Sequence, residues 1–501
     1  MAVDDREKLG ILLNLSTELL LLIFESLPAP ALLSVSRASR QLHYLALPVY
    51  FSRYNISNID LERGRLALEG DTMRALPGLQ TSISLTSLDH LSCKFSGGNS
   101  YFTWEVHHLC CLISKVERVR AVTLDLGNID SRWIDGLTLI NDKAWKERFI
   151  CLLAGVVNKG CSHLVVTHGH FIPVDSPELL VNARKPRGSF RESVSSVTAF
   201  LKPPSSTLRK LLEAPYLNQL ENISIHSSLF FINPFHEWFI QIISTSPIHT
   251  LSLRLSGIPH KTWSSTLSRI NIQSLSYFSA ESVDIRFVDL QKFLSRHPSI
   301  ETLDLHPNFV YAGPRNLGRR AKRPHLPEFH SLSGSPENVR DLLDTLRPPL
   351  PHLRTIKLSL PTQQSVFRAV DFLKLENKIS EVIQGVMPTE LSLRFLVPYF
   401  VDDQSRGVKA GSSYERVFPL FPSVQILKFV SDGHFAFVKW IIPKLPQWLA
   451  TFPSLRHVMF SGDCTPSDSS GRTALVQSIG FACTTVTLIV MDKEHHPVPH
   501  R

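Results

Sequence analysis

Thiol and imidazole side chains crowd together at two places in the sequence. The segment Cys161-Ser-His163-Leu-Val-Val-Thr-His168-Gly-His170 carries one thiol and three imidazoles, and both group types ligate zinc. Their spacing matches none of the common structural zinc frameworks. In an extended segment His163 and Val165 share a face while His168 falls on the opposite one. His107-His108 beside Cys110-Cys111 reads as helical and structural, and no nucleophile is assigned there. The chain has no P-loop, no G-x-S-x-G elbow, no dinucleotide-binding glycine pattern and no H-E-x-x-H. Neither catalysis, nor a metal site, nor a cofactor is expected.

The remaining chemistry-bearing groups are cations. Asn182 to Arg191 carries Arg184, Lys185, Arg187 and Arg191, and Pro314 to His325 carries Arg315, Arg319, Arg320, Lys322 and Arg323. Both stretches, 182–191 and 314–325, are expected to be exposed loops inserted into the fold. The second has the composition of a nuclear import signal or of a patch for an acidic partner. The chain as a whole has 53 basic against 44 acidic residues, a net charge of +9 over 501 residues. That excess permits nucleic-acid contact without demanding it, and nucleic acid is not expected as a partner.

The apolar fraction of 43% and charged fraction of 19% fit a folded chain, and its length exceeds one ordinary core. Seven cysteines without a C-x-x-C pair read as reduced thiols in the cytoplasm and/or nucleus. The leucine-rich stretch 11–27 is broken by Asn14, Ser16, Thr17, Glu18 and Glu25. It falls short of the roughly 20 apolar residues a spanning helix needs, so no membrane role is expected.

One short pattern recurs along most of the chain: apolar, two variable, apolar, one variable, apolar. It is found at Val119/Val122/Leu124, Leu220/Ile223/Ile225, Ile248/Leu251/Leu253, Ile272/Leu275/Tyr277 and Ile300/Leu303/Leu305. It returns at Leu353/Ile356/Leu358, Val424/Leu427/Phe429, Leu455/Val458/Phe460 and Cys483/Val486/Leu488. Alternation in the last three positions marks a strand with one buried face. Helix-like segments such as 236–244, 288–296, 339–346 and 475–479 lie between these strands. Starts at 220, 248, 272 and 300 are separated by 28, 24 and 28 residues, close to the period of leucine-rich repeats. The expected fold is therefore an irregular, leucine-rich-repeat-like α/β solenoid over 119–490, with an ordinary βαβ domain as the alternative. Residues facing out of the sheet include Ser224, Ser252, Asp304, Lys357, Lys428 and Met459, which are the candidate contacts for a target protein.

The first fifty residues follow a different pattern. Ser16 or Thr17 can cap a helix with Glu18 in its first turn. That helix is apolar nearly all round from Leu19 to Phe24, and Pro28 and Pro30 end it. A helix of this kind needs two burial surfaces, and a unit of about forty residues cannot supply both. The order Leu15-x-x-Glu18-Leu19-Leu20-x-x-Ile23-Phe24-x-x-Leu27-Pro28, then Leu32-Leu33 and Ala46-Leu47-Pro48-Val49-Tyr50, resembles the F-box of fungal F-box proteins. Ser16 stands where that family usually has proline.

The resemblance implies a three-helix module over 11–53 that binds the Skp-family adaptor of a cullin–RING ubiquitin ligase. It further implies adaptor contacts by Leu15, Leu19, Leu20, Ile23, Phe24, Leu27, Leu32 and Leu33. Residues 54–118 would connect the module to the solenoid and hold the start of the repeats, and 491–501 would form a C-terminal tail. The cysteine and histidine spacing of a RING is missing, so the chain would serve as a non-catalytic receptor. A repeat scaffold unrelated to ubiquitin and a basic nucleic-acid-binding protein are the alternatives.

Overall fold

The structure is a computed structural model. It describes residues 15–96, 99–127, 143–169, 219–255, 257–306, 310–311, 323–346, 350–360, 388–395, 423–431, 445–450, 452–462, 464–466 and 468–498. The chain divides into two compact units, Met1–Ile272 and Gln273–Arg501.

The first unit opens with three helices, α1 (Thr17–Ser26), α2 (Ala29–Ser36) and α3 (Arg40–Ser52). Ser16 occupies the N-cap position of α1, but its side chain makes no capping bond, so the cap expected from Ser16 or Thr17 does not form. Pro30 falls in the first turn of α2, where a missing N–H costs nothing. Ser39 caps α3 by accepting the Leu42 N–H at 3.2 Å. The C-terminal carbonyls of α1 are capped from a distance: the Arg53 guanidinium donates to Phe24 O at 3.1 Å, Glu25 O at 2.8 Å and also Leu27 O. A long side chain after α3 thus satisfies the groups that the end of α1 leaves orphaned.

Short helices α4 (Asn58–Glu62) and α5 (Leu76–Thr81) lead into longer ones, α6 (Asn99–Lys115), α7 (Lys143–Asn158), α8 (Phe235–Thr245) and α9 (His260–Arg269). Between them run β1 (Arg65–Glu69), β2 (Ser87–Lys94), β3 (Arg118–Asp125), β4 (His163–Thr167), β5 (Asn222–His226) and β6 (Thr250–Arg254). These six strands are parallel and lie side by side in chain order. An aromatic cluster ties the helices of successive repeats together. Phe102 lies edge-on to Trp145 at 5.8 Å, and Trp145 stacks on Phe235 at 5.5 Å.

The second unit repeats the scheme with β7 (Tyr277–Glu281), β8 (Asp284–Ile285), β9 (Thr302–Leu305), β10 (Val310–Tyr311), β11 (Ser331–Gly334) and β12 (Thr355–Leu360), then β13 (Glu390–Phe395), β14 (Ile426–Ser431), β15 (His457–Gly462), β16 (Leu488–Met491) and β17 (Glu494–Pro497). Its helices are α10 (Phe287–Arg296), α11 (Pro336–Leu343), α12 (Leu445–Leu449) and α13 (Ser469–Ala482). The sheet order is β7-β9-β11-β12-β13-β14-β15-β16-β17, parallel except for the last pair, while β8 and β10 form a separate two-stranded ladder.

Two observations decide between a repeat array and an ordinary βαβ domain. In each unit the strands follow chain order without the reversal that marks a doubly wound sheet. Most strands also bury alternate residues, as in β5, β6, β7 and β9, the exceptions being Ser359 on β12, Ser392 on β13 and Val490 on β16, which are buried as well. A parallel sheet covered on both faces would read as a continuous buried run. Each unit is therefore a repeat array with one packed and one open sheet face.

The register confirms most of the apolar triplets and corrects two. In β7 the pairing sets Phe278 opposite Leu303 and Ala280 opposite Leu305. The triplet is thus Leu275/Phe278/Ala280, not Ile272/Leu275/Tyr277, and Tyr277 is half-buried on the open face. In β16 Ile489 and Met491 stand opposite Val458 and Phe460. That shifts Cys483/Val486/Leu488 to Val486/Ile489/Met491. The register also reveals triplets the pattern search passed over: Leu88/Leu91/Cys93, Cys161/Leu164/Val166 and Phe329/Leu332/Gly334.

Candidate interaction surfaces

Cys161 is now explained. It fills the first apolar position of a repeat, is fully buried, and its Sγ–H donates to His163 O at 3.2 Å. Burial pushes its thiol up to about 12, far from the thiolate form that ligates metal. His163 points out of the open face, held between Ser162 Oγ at 2.7 Å and Asn222 Nδ2 at 2.9 Å. His168 pairs instead with Asp125 Oδ1 at 2.7 Å. Among the described residues no group of three or more His, Cys, Asp or Glu side chains is placed to hold a metal ion. His170 and the basic stretch 182–191 lie outside the described residues, as do Arg315, Arg319, Arg320 and Lys322 of the second basic stretch; Arg323 is exposed.

The residues expected at the adaptor surface divide sharply. Leu20, Phe24 and Leu32 have no exposed surface; they form the interior of the three-helix module and are not available to a partner. Leu19 and Ile23 are exposed to 50% and 39%. Leu15, Leu27 and Leu33 are half-buried. The sequence reading missed Leu22, which is 63% exposed, and Tyr44 on α3, which is 51% exposed. Leu19, Leu22 and Ile23 stand at i, i+3 and i+4, which places them on one stripe of α1. The available signal was this spacing: a helix apolar all round has one stripe for its own module and a second for something else.

The six residues expected on the sheet surface all occupy the open face. Ser224 and Ser252 are register partners in the first unit. Asp304, Lys357, Lys428 and Met459 lie in one continuous row of the second, running Asp304, Ser333, Lys357, Ser392, Lys428 and Met459 from strand to strand. Lys357 is exposed and the other three are half-buried. Lys428 Nζ pairs with Glu390 Oε1 at 2.7 Å, a contact not anticipated from sequence. Among the described residues no helix is long and apolar enough to cross a membrane.

No family model matches the chain, and no curated protein matches it. Among solved structures it is similar to a chain of the Rad7 and Elc1 complex in yeast, with 10% identity, 88% of this chain and 96% of that one covered, and a TM-score of 0.35. It is also similar to a chain of the TLR13–ssRNA13 complex, with 14% identity, 83% of this chain and 48% of that one covered, and a TM-score of 0.34. Similarity at this level does not fix a fold; strand order and one-sided burial define the repeat array.

Proposed function

We propose that the chain is a non-catalytic substrate-recognition subunit of a Skp–cullin–F-box type ubiquitin ligase. Helix α1 docks the Skp-family adaptor, and the open sheet face holds the target protein. The observation that carries the docking half is the second apolar stripe of α1. Leu20 and Phe24 are already spent inside the module, yet Leu19, Leu22 and Ile23 still face solvent. Fully burying three such side chains is worth roughly 1.5–3 kcal/mol each. Half-buried Leu15, Leu27 and Leu33 belong to the same module. The target-binding half is supported by a parallel sheet whose outward row presents mixed polar, charged and apolar side chains.

The test is co-expression with a Skp-family adaptor, followed by affinity recovery of the pair. Leu22→Asp is the informative variant, because Leu22 lies outside the module core and its replacement spares the fold. A carboxylate forced into an apolar contact costs several kcal/mol, so recovery should fall to background. A well-folded wild-type chain that recovers no adaptor would overturn the reading.

A further inference from the structure

The open face of the second unit changes character along its row of strands. At β9 it is acidic: Glu301 precedes Thr302, and Asp304 follows, accepting the Tyr277 hydroxyl at 3.4 Å. Across β12 to β15 it becomes basic. Lys357 on β12, Arg394 on β13 and Lys428 on β14 lie on it, and exposed Arg354 and Arg456 stand at the starts of β12 and β15, against one carboxylate among the described residues of these strands, Glu390, which Lys428 already engages. Arg354, Lys357, Arg394 and Arg456 are exposed, and no ion pair among the described residues engages Arg354, Lys357 or Arg456.

Exposed cations held close together on a rigid sheet repel one another and attract an anionic partner. Interspersed with them are half-buried Ile426, Val430 and Met459, beside the polar Thr355, His457 and Ser461. In the central row the buried Ser392 separates Lys357 from Lys428. At about 4.8 Å per strand the two lysines stand about 10 Å apart at their backbones. That is the length of about three residues of extended chain.

We infer that the open face of β12–β15 is the docking surface for an acidic, extended segment of a target protein, with carboxylates on the cations and aliphatic side chains on Ile426, Val430 and Met459. The identity of the occupant as a ligase target rests on the receptor reading above. A protein segment fits better than nucleic acid on two counts. The aliphatic patch offers nothing to a sugar–phosphate strand, and a strand long enough to pass β9 would meet Glu301 and Asp304. Charge–charge contacts at this exposure set specificity and salt dependence more than raw affinity.

The experiment is fluorescence anisotropy on the full-length chain with a short fluorescein-labelled peptide alternating glutamate and valine. A single-stranded DNA oligonucleotide of matched charge is the second probe. The test variant is Lys357→Glu/Arg456→Glu, since both side chains are exposed and make no ion pair among the described residues, so the fold should be retained; a thermal melt checks this. Lys357→Gln/Arg456→Gln is the milder companion, should the reversal disturb packing. The expected result is salt-sensitive peptide binding that weakens about tenfold or more in the reversal variant, with the reversal variant instead taking up a lysine–valine peptide. Absence of peptide binding, an affinity unchanged in both variants, or DNA bound more tightly than the peptide with the same variant dependence would each overturn the inference. Adaptor recovery is read separately on the same preparations, so failure of the receptor reading and failure of this surface are distinguishable.

Discussion

His297, the C-cap residue of α10, has no exposed surface. Its Nδ1–H donates to Phe293 O at 2.7 Å, and its ring lies 4.2 Å from that of Phe293. Burial lowers its pKa from 6.5 to about 4, the hydrogen bond to Phe293 opposing and Arg296 adding to the shift. The fold holds the neutral ring, whereas the unfolded chain takes up a proton below about 6.5. The stabilisation is therefore complete above that pH and is lost as pH falls from about 6.5 towards 4, on the order of 3 kcal/mol at the acid end. Urea unfolding across this range should show stability dropping with pH in the wild type and a shallower drop in His297→Asn, which keeps a donor for Phe293. Parallel profiles would remove His297 as the cause. Residue chemistry of this kind was hard to read from sequence. Cys161 was not read as part of a repeat, because a cysteine in a leucine position carries no visible sign of the repeat it belongs to.

At the scale of the element, most triplets were legible because their three apolar positions have no competing frame. Ile300/Leu303/Leu305 and Leu455/Val458/Phe460 were found in the frame that the strand register adopts. Misreadings occurred where two frames overlap by three residues. From Ile272 to Ala280 both Ile272/Leu275/Tyr277 and Leu275/Phe278/Ala280 fit, and the small Ala280 weakened the true one. Hydrogen bonding to the neighbouring strand decides it, and a local pattern contains no such information. The same logic applies to α1. Its all-round apolarity announced two burial surfaces but did not say which leucines served which. The register makes a direct forecast. Phe278→Ala should cost about 3–5 kcal/mol, as loss of a fully buried ring does. Tyr277→Ala should cost about 1 kcal/mol or less, since it removes a half-exposed ring and one 3.4 Å contact to Asp304. Chemical denaturation of the two variants measures both, and a larger loss for Tyr277→Ala would restore the rejected frame.

At the scale of the whole molecule, the two proposed surfaces are built by different parts of the chain. The apolar stripe of α1 belongs to Met1–Ile272 and the basic sheet face to Gln273–Arg501, and no side chain is common to both. A repeat array distributes its stability over neighbouring interfaces, so a surface substitution in one unit need not remake the other. The two binding events should therefore be close to additive, with a coupling free energy below about 0.5 kcal/mol. Adaptor affinity should be the same with and without saturating acidic peptide, and peptide affinity the same with and without adaptor. In the same titrations Leu22→Asp should abolish adaptor binding while leaving peptide affinity intact, and Lys357→Glu/Arg456→Glu should do the reverse. Isothermal titration of each ligand in the presence of the other reads the coupling directly. By linkage, a several-fold change in one affinity must appear equally in the other. Such a reciprocal change would show that target capture and adaptor docking communicate through the repeats, and independent docking surfaces would no longer describe the molecule.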